Sequence, residues 1–175
     1  MDPQTLALAV VKRNHEVFQA ILADLTADQL HWTPPGVANP IAALWAHVVV
    51  GEDMMFNRVI RGEQSQLHET VWAGKTGLSE PREKPGVPWD QWARRLRLEP
   101  GQCREYTSAV FAATESYIEA ANAAEMDRVV TTHIPNRPPV SVAQFLVSNL
   151  SNHIANHVGE ISGLKGLQGL RGYQG

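Results

Sequence analysis

Apolar residues recur every three or four positions along most of this chain, and stretches rich in proline and glycine interrupt that spacing. The spacing places apolar side chains on one face of an α-helix. It predicts four long helices, over residues 3–25, 40–61, 99–121 and 141–167. At 175 residues, the chain is long enough for one domain with a substantial core and short for two. We therefore expect a single all-α domain over residues 1–175.

Helix boundary signals agree with these stretches. The paired prolines of "WTPPGVANP" stop the first helix, and Asn39 is a suitable N-cap for a second helix with Pro40 in its first position. Gly62 ends that second helix. The other signals are Glu99 and Pro100 before the third helix, Ser141 before the fourth, and Gly169 and Gly172 where the fourth frays.

The connection over residues 62–88 is unusually long for a compact domain. It is rich in glycine, proline, serine and charge and shows no sustained period, and only "WDQWARRL" after it resembles a short helix. Loops of this length are either functional or needed to cross between distant elements, and both interpretations remain open. Four long helices and one long connection predict a four-helix bundle with a crossover between the second and third helices.

Charge and cysteine content exclude several classes of protein. The net charge is -3 and the basic residues are scattered, so we expect no nucleic-acid partner. The longest apolar run, Ile41 to Val50, is too short to cross a bilayer, so we expect no membrane association. The first residues do not resemble a signal peptide, and the single cysteine cannot form an internal disulfide. These features predict a cytoplasmic protein.

Three histidines form a candidate metal site. His153 and His157 are four residues apart on the fourth predicted helix, which places both imidazoles on one face. An isolated HxxxH is a weak signal, because it also occurs by chance. His47 strengthens it, since it lies within the apolar run "LWAHVVVGEDMM" of the second helix, and bundle metal sites use inward side chains of facing helices. One divalent ion, such as zinc, nickel or iron, would suit three imidazoles and retain an open coordination position.

Two polar residues on the same helix face are candidates to support these ligands. A ligating histidine usually donates its second ring N–H to an acceptor. Asn149 lies one turn before His153, and Glu160 lies three residues after His157. Glu160 is also the candidate catalytic residue, able to orient a ligand or move a proton. Its alternative is an ordinary solvated position on the helix surface.

The segments "PIAALWAHVVVGEDMMFNRVI" and "PVSVAQFLVSNLSNHIANHVGEISGLKGLQG" resemble the DinB-like superfamily of metal-binding four-helix bundles, which includes bacterial thiol-dependent transferases. The similarity lies in one histidine on the second helix and an HxxxHxG(E/Q) pattern on the fourth, and it covers nearly the whole chain. The resemblance implies an up-down-down-up bundle, a metal held by His47, His153 and His157, and a homodimer.

The remaining candidates have simpler structural interpretations. We expect His15 to be half-exposed on the first helix, and His31, His68 and His133 to be solvated in connections and turns. Cys103 is expected to be a structural thiol, because a nucleophile would need a stabilised thiolate. Trp45, Trp89 and Trp92 fit either the core or the lining of a substrate pocket.

Two functions are compatible with this sequence. The first is a metal-dependent transferase that joins a low-molecular-weight thiol, its cosubstrate, to a small electrophile. The alternative is a non-catalytic metal or small-molecule binding protein of stress response or detoxification. Both take a small-molecule ligand. DNA binding is disfavoured by the acidic charge balance.

Overall fold

The computed structural model describes residues 2–63, 66–81, 86–132 and 138–173. These residues are mostly helical, which confirms the all-α expectation. Their α-helices are α1 (Pro3–Leu22), α2 (Ala27–His31), α3 (Ile41–Met54), α4 (Trp89–Arg95), α5 (Pro100–Ala120), α6 (Ala123–Asp127), α7 (Val142–Phe145) and α8 (Asn152–Leu167). Two short antiparallel strands, β1 (Val129–Val130) and β2 (Val140–Ser141), were not predicted.

Side-chain caps explain where the long helices begin. Asp2 accepts from the backbone N–H of Thr5 at the start of α1, and Glu99 and Ser141 cap α5 and α7 as predicted. The expectation for Asn39 is wrong. Pro40 occupies the N-cap position of α3 without a side-chain cap, and Oδ1 of Asn39 is buried with no hydrogen-bond partner in the described chain.

The second and fourth predicted helices each contain a π-helical segment. The first, Met55–Ile60, continues α3, and the second, Leu146–Ser151, joins α7 to α8. A π-helical segment inserts an extra residue into the helical repeat and so rotates the residues that follow it. The second segment ends two residues before His153, so it sets the direction in which α8 presents both of its histidines.

The hydrophobic core lies among the four long helical segments. Helix α1 packs against α5 and α8, and α3 packs against the same two helices. Large side chains with almost no exposure fill the space between them, including Phe18, Trp45, Phe56, Tyr106, Phe111 and Phe145. A second, smaller core cluster between α3 and α4 contains Trp92. Within the described residues, no helix combines the length and apolar composition that a bilayer span requires.

Asp53 on α3 anchors part of the long connection. Its buried carboxylate accepts from the backbone N–H groups of Leu67 and His68, from Nδ1 of His68 and from the hydroxyl of Tyr106. Burial raises the pKa of the Asp53 carboxyl, but these hydrogen bonds outweigh burial and hold the pKa below its usual range. The prediction that His68 is solvated is therefore wrong, whereas His133 lies outside the described residues.

Candidate metal centre

The structure brings His47, His153 and His157 together. One ring nitrogen from each residue lies within 4.8 Å of the others, and the three side chains are half-buried between α3 and α8. Nε2 of His153 is 2.9 Å from Nε2 of His47. The ring centroids are 4.7–5.0 Å apart and no two rings are parallel, so the rings meet edge to face around a shared point.

Gly51 allows α3 to approach α8 closely at this cluster. It lies four residues after His47, on the same face of α3. A β-carbon at position 51 would stand 3.2 Å from Cε1 of His153, which is tighter than ordinary van der Waals contact. Sequence reasoning missed Gly51, although a glycine inside a helical apolar run is a signal of close packing.

Glu160 supports His157 in the way that its spacing predicted. One carboxylate oxygen is 3.0 Å from Nδ1 of His157, so Nδ1 is the donor in this hydrogen bond, and in the neutral ring Nε2 is then the nitrogen that can bind a metal ion. Asn149 does not play the corresponding role for His153. Nδ1 of His153 is buried and has no hydrogen-bond partner in the part of the chain that the structure describes.

The electrostatics of the cluster favour a neutral imidazole at His153. Burial, and then the two neighbouring histidines, lower the pKa of His153 to about 3. A neutral imidazole is the form that binds a metal ion, because ligation uses the ring nitrogen lone pair. The donor set, three convergent imidazole nitrogens with one ring already oriented by a carboxylate, therefore fits a divalent ion.

The comparisons with known proteins agree with this architecture. The family model described as "DinB superfamily" matches residues 11–161, a span that contains all three histidines. The chain belongs to the DinB superfamily. A solved structure of a conserved protein from Enterococcus faecalis has the same fold as this DinB superfamily chain, with a TM-score of 0.76 and 20% sequence identity over 95% of this chain and 97% of that one. A comparison with curated proteins finds no match.

Of the three candidate tryptophans of this DinB superfamily protein, one lies beside the histidine cluster and two lie in the core. The Trp89 ring meets the His47 ring edge to face, with centroids 5.7 Å apart, so Trp89 flanks the cluster. Trp45 and Trp92 are fully buried and belong to the core. On the other side, the side chains of His157 and Glu160 are 19% and 41% exposed, so solvent reaches this edge of the cluster at the surface of α8.

His15 differs most from expectation. It is 2% exposed rather than half-exposed, and its ring stacks on Phe111 with centroids 3.7 Å apart. Nδ1 lies 2.7 Å from a Glu115 oxygen, and Nε2 lies 3.1 Å from an oxygen of the fully buried Glu52. Burial lowers the pKa of His15, but the two carboxylates outweigh burial and raise it to about 9. The ionic contacts of His15 with Glu52 and Glu115 therefore join α1 to α3 and α5. Glu52 directly follows Gly51 in α3.

Two other candidates are structural. Cys103 is fully buried on α5, and burial raises the pKa of its thiol well above the usual range, as expected for a thiol with no nucleophilic role. The expectation that His31 is solvated is wrong. Nε2 of His31 accepts from the backbone N–H of Leu98, and Nδ1 donates to the carbonyl of Ala27, so His31 ties α2 to the segment before α5.

Proposed function

We propose that this protein binds one divalent metal ion through a ring nitrogen each of His47, His153 and His157. The observation that carries the proposal is the convergence of three half-buried imidazoles from two helices. The low pKa of His153 supplies additional support, because a neutral imidazole keeps the ring-nitrogen lone pair that metal ligation uses. Zinc, nickel and iron all suit such a donor set.

We further propose that the site is a metal-dependent thiol transferase acting on small electrophiles. A divalent ion at this site supplies Lewis acidity, which lowers the pKa of a low-molecular-weight thiol. The transfer breaks the S–H bond and forms an S–C bond while the bond from that carbon to the electrophile's leaving group breaks, so the leaving group departs with that electron pair. Glu160 keeps His157 in the ligating tautomer, and its exposed carboxylate is the group beside the cluster that can pass the released proton to water.

The alternative is a non-catalytic metal or small-molecule binding protein of stress response or detoxification. It is favoured by the fact that the histidines come from α3 and α8, since an ion bound to both helices would hold them together. The exposure of His157 and Glu160 favours the transferase instead, because a purely structural site has no need of an opening.

Three further features belong to the same proposal. The packing of α1 and α3 against α5 and α8 supports an up-down-down-up four-helix bundle in which the long connection makes the crossover. The free, buried Cys103 supports a cytoplasmic location. Exposed apolar side chains, among them Leu6, Val129 and Leu167, support a homodimer.

Elemental analysis of untagged protein purified without chelator tests the metal proposal. We expect about one divalent ion per chain in the wild type and little in His153→Ala. Asn156→Ala is the matched control, because Asn156 is exposed on the same helix between the two histidines. Unchanged metal content in His153→Ala would show that the assignment is wrong.

A further inference from the structure

Apart from the histidine cluster, the structure has a cavity between α1 and α5, with a volume of about 220 Å³. Its apolar wall is formed by Phe18, Leu22 and Trp45, and the polar residues that line it are Gln19, Arg104, Thr107 and Ser108. None of the three clustered histidines lines it. This combination of apolar lining and a few polar groups is typical of small-molecule sites.

Arg104 is the charged residue among the described residues that line this cavity. Its guanidinium carbon lies 5.7 Å from the centre of the Trp45 ring. Nη2 donates to the backbone carbonyls of Leu22 and Ala23, at 3.2 Å each, at the end of α1. Both acceptors are uncharged, and Arg104 makes no ion pair with a carboxylate of the described chain. A guanidinium has five N–H donors, so Arg104 retains donors for an anion.

The size of the cavity limits what can occupy its apolar part. A cavity of about 150 Å³ lined by apolar side chains holds benzene. The volume of about 220 Å³ therefore admits one aromatic ring or a short alkyl chain, but no larger body. Ordered contact with both the apolar wall and Arg104 requires a ligand with an apolar end and an anionic end.

We propose that the cavity between α1 and α5 is a binding site for a small amphipathic monocarboxylate. Its aromatic or short aliphatic body lies against Phe18, Leu22 and Trp45, and its carboxylate accepts hydrogen bonds from Arg104. Nη2 is occupied by the two backbone carbonyls, so the Nε–H and Nη1–H groups are the donors that remain for a charge-assisted hydrogen bond to a carboxylate oxygen. This site is separate from the histidine cluster and does not depend on the proposed transferase activity.

The test uses 3-phenylpropionate as the probe, with 3-phenylpropionamide and acetate as comparison ligands. Binding is followed by calorimetry and by the NMR signal of the Trp45 indole N–H, which donates to Thr107 Oγ1 at 2.8 Å beside the cavity. We expect 3-phenylpropionate to shift this signal and to bind at least about tenfold more tightly than either comparison ligand. If 3-phenylpropionamide binds as tightly as 3-phenylpropionate, Arg104 does not recognise the carboxylate. If acetate binds as tightly, the apolar wall does not contribute and the protein binds an ion only.

Variants assign the binding to this cavity. Arg104→Gln should lower the affinity for 3-phenylpropionate about tenfold and leave the weak binding of the amide unchanged. Arg97→Gln is the matched control, because Arg97 also donates to backbone carbonyls but does not line the cavity. Ala23→Phe, which places a ring at a residue of the cavity wall, should abolish binding. An equal loss in Arg97→Gln, or unchanged binding in Ala23→Phe, would contradict the proposal.

A carboxylate can also coordinate a metal ion, so the titration is repeated in His153→Ala. Binding that persists in this variant supports the separate cavity. Binding that disappears with the histidine would place the carboxylate at the cluster and overturn the inference. Thermal unfolding of Arg104→Gln measures how much stability is lost with the hydrogen bonds from Arg104 to α1. If Arg104→Gln fails to fold, Ala23→Phe still tests the proposal.

Discussion

Gly51 and His153 face each other across the interface between α3 and α8, so closely that a β-carbon at position 51 would press on the His153 ring. An added β-carbon would stand 3.2 Å from Cε1 of His153. The position of this imidazole therefore depends on a glycine that is not itself a ligand. The consequences of this contact can be measured by metal binding.

We predict that Gly51→Ala weakens metal binding about tenfold or more, because a displacement of a few tenths of an ångström moves the His153 ring from its place in the cluster. Gly163→Ala is the control. It makes the same change within α8, where a β-carbon would meet nothing within 4 Å. Both substitutions raise helix propensity equally, so a difference in metal affinity between them reflects the contact with His153. A competition titration with a chelator measures both affinities. Equal affinities for the two variants would contradict the prediction.

The second prediction concerns Glu160 and the orientation of His157. Glu160→Ala should weaken metal binding about 10–100-fold, because Nδ1 of His157 loses its acceptor. Glu160→Gln should have a smaller effect, since an amide oxygen can still accept that hydrogen bond. The same chelator competition measures both, and Glu105→Ala on the exposed face of α5 is the control. Wild-type metal affinity in Glu160→Ala would show that the hydrogen bond from His157 to Glu160 does not contribute to metal binding.

The third prediction is a pH dependence of stability that arises from His15. Its pKa is raised from 6.5 to about 9, so the folded state binds this proton more tightly than the unfolded chain does. The resulting stabilisation, about 3 kcal/mol, is fully present below pH 6.5 and is lost as the pH rises through 9.

Urea denaturation of the wild type and His15→Gln between pH 6 and 10 measures this effect. The variant should be less stable at pH 6, because glutamine carries no charge to pair with the buried Glu52. The difference in the free energy of unfolding should shrink toward pH 10, since the wild-type imidazole is then neutral. A constant difference over this range would show that His15 is not protonated in the folded protein.

The sequence predicts the long helices and the identity of the clustered histidines because both depend on local spacing. His153 and His157 share a face through their separation of four residues, and His47 is conspicuous in an apolar run. The environment of His15 could not be predicted in this way. Its partners Glu52 and Glu115 lie 37 and 100 residues away, and only tertiary packing brings them together.

The π-helical segments were missed for a related reason. Their residues, Met55–Ile60 and Leu146–Ser151, fit an ordinary helical pattern, and no glycine or proline marks them. An inserted residue changes the phase of a helix without changing its composition. The sequence could therefore predict that a fourth long helical segment exists, but not the rotation of α8 relative to the residues before it.

The fourth prediction concerns the oligomeric state. The resemblance to the DinB-like superfamily implies a homodimer, and a second copy of the chain would cover exposed apolar side chains such as Leu6, Val129 or Leu167, which are 48%, 64% and 67% exposed at separate positions. Light scattering should give a mass of about twice 19.3 kDa at micromolar concentrations. A mass of one chain throughout this range would show that the protein is a monomer.

The last prediction distinguishes the transferase from the binding protein. Three imidazole ligands leave coordination positions open, and we propose that a small thiol reaches them past the partly exposed His157. In cobalt-substituted protein, an added thiol should therefore produce a sulfur-to-metal charge-transfer band, whereas acetate should not. His157→Ala should lose the band together with its metal.

Catalysis requires, in addition, that an electrophile reach the sulfur at about 3–3.5 Å, a proximity that lowers the barrier by several kcal/mol. We expect thiol conjugation to a small electrophile to disappear in His157→Ala and to decrease in Glu160→Gln, with helical content unchanged in both by circular dichroism. A thiol band without any conjugation would favour the non-catalytic binding protein. The absence of a band with every thiol tested would exclude the transferase, because no thiol would then reach the metal.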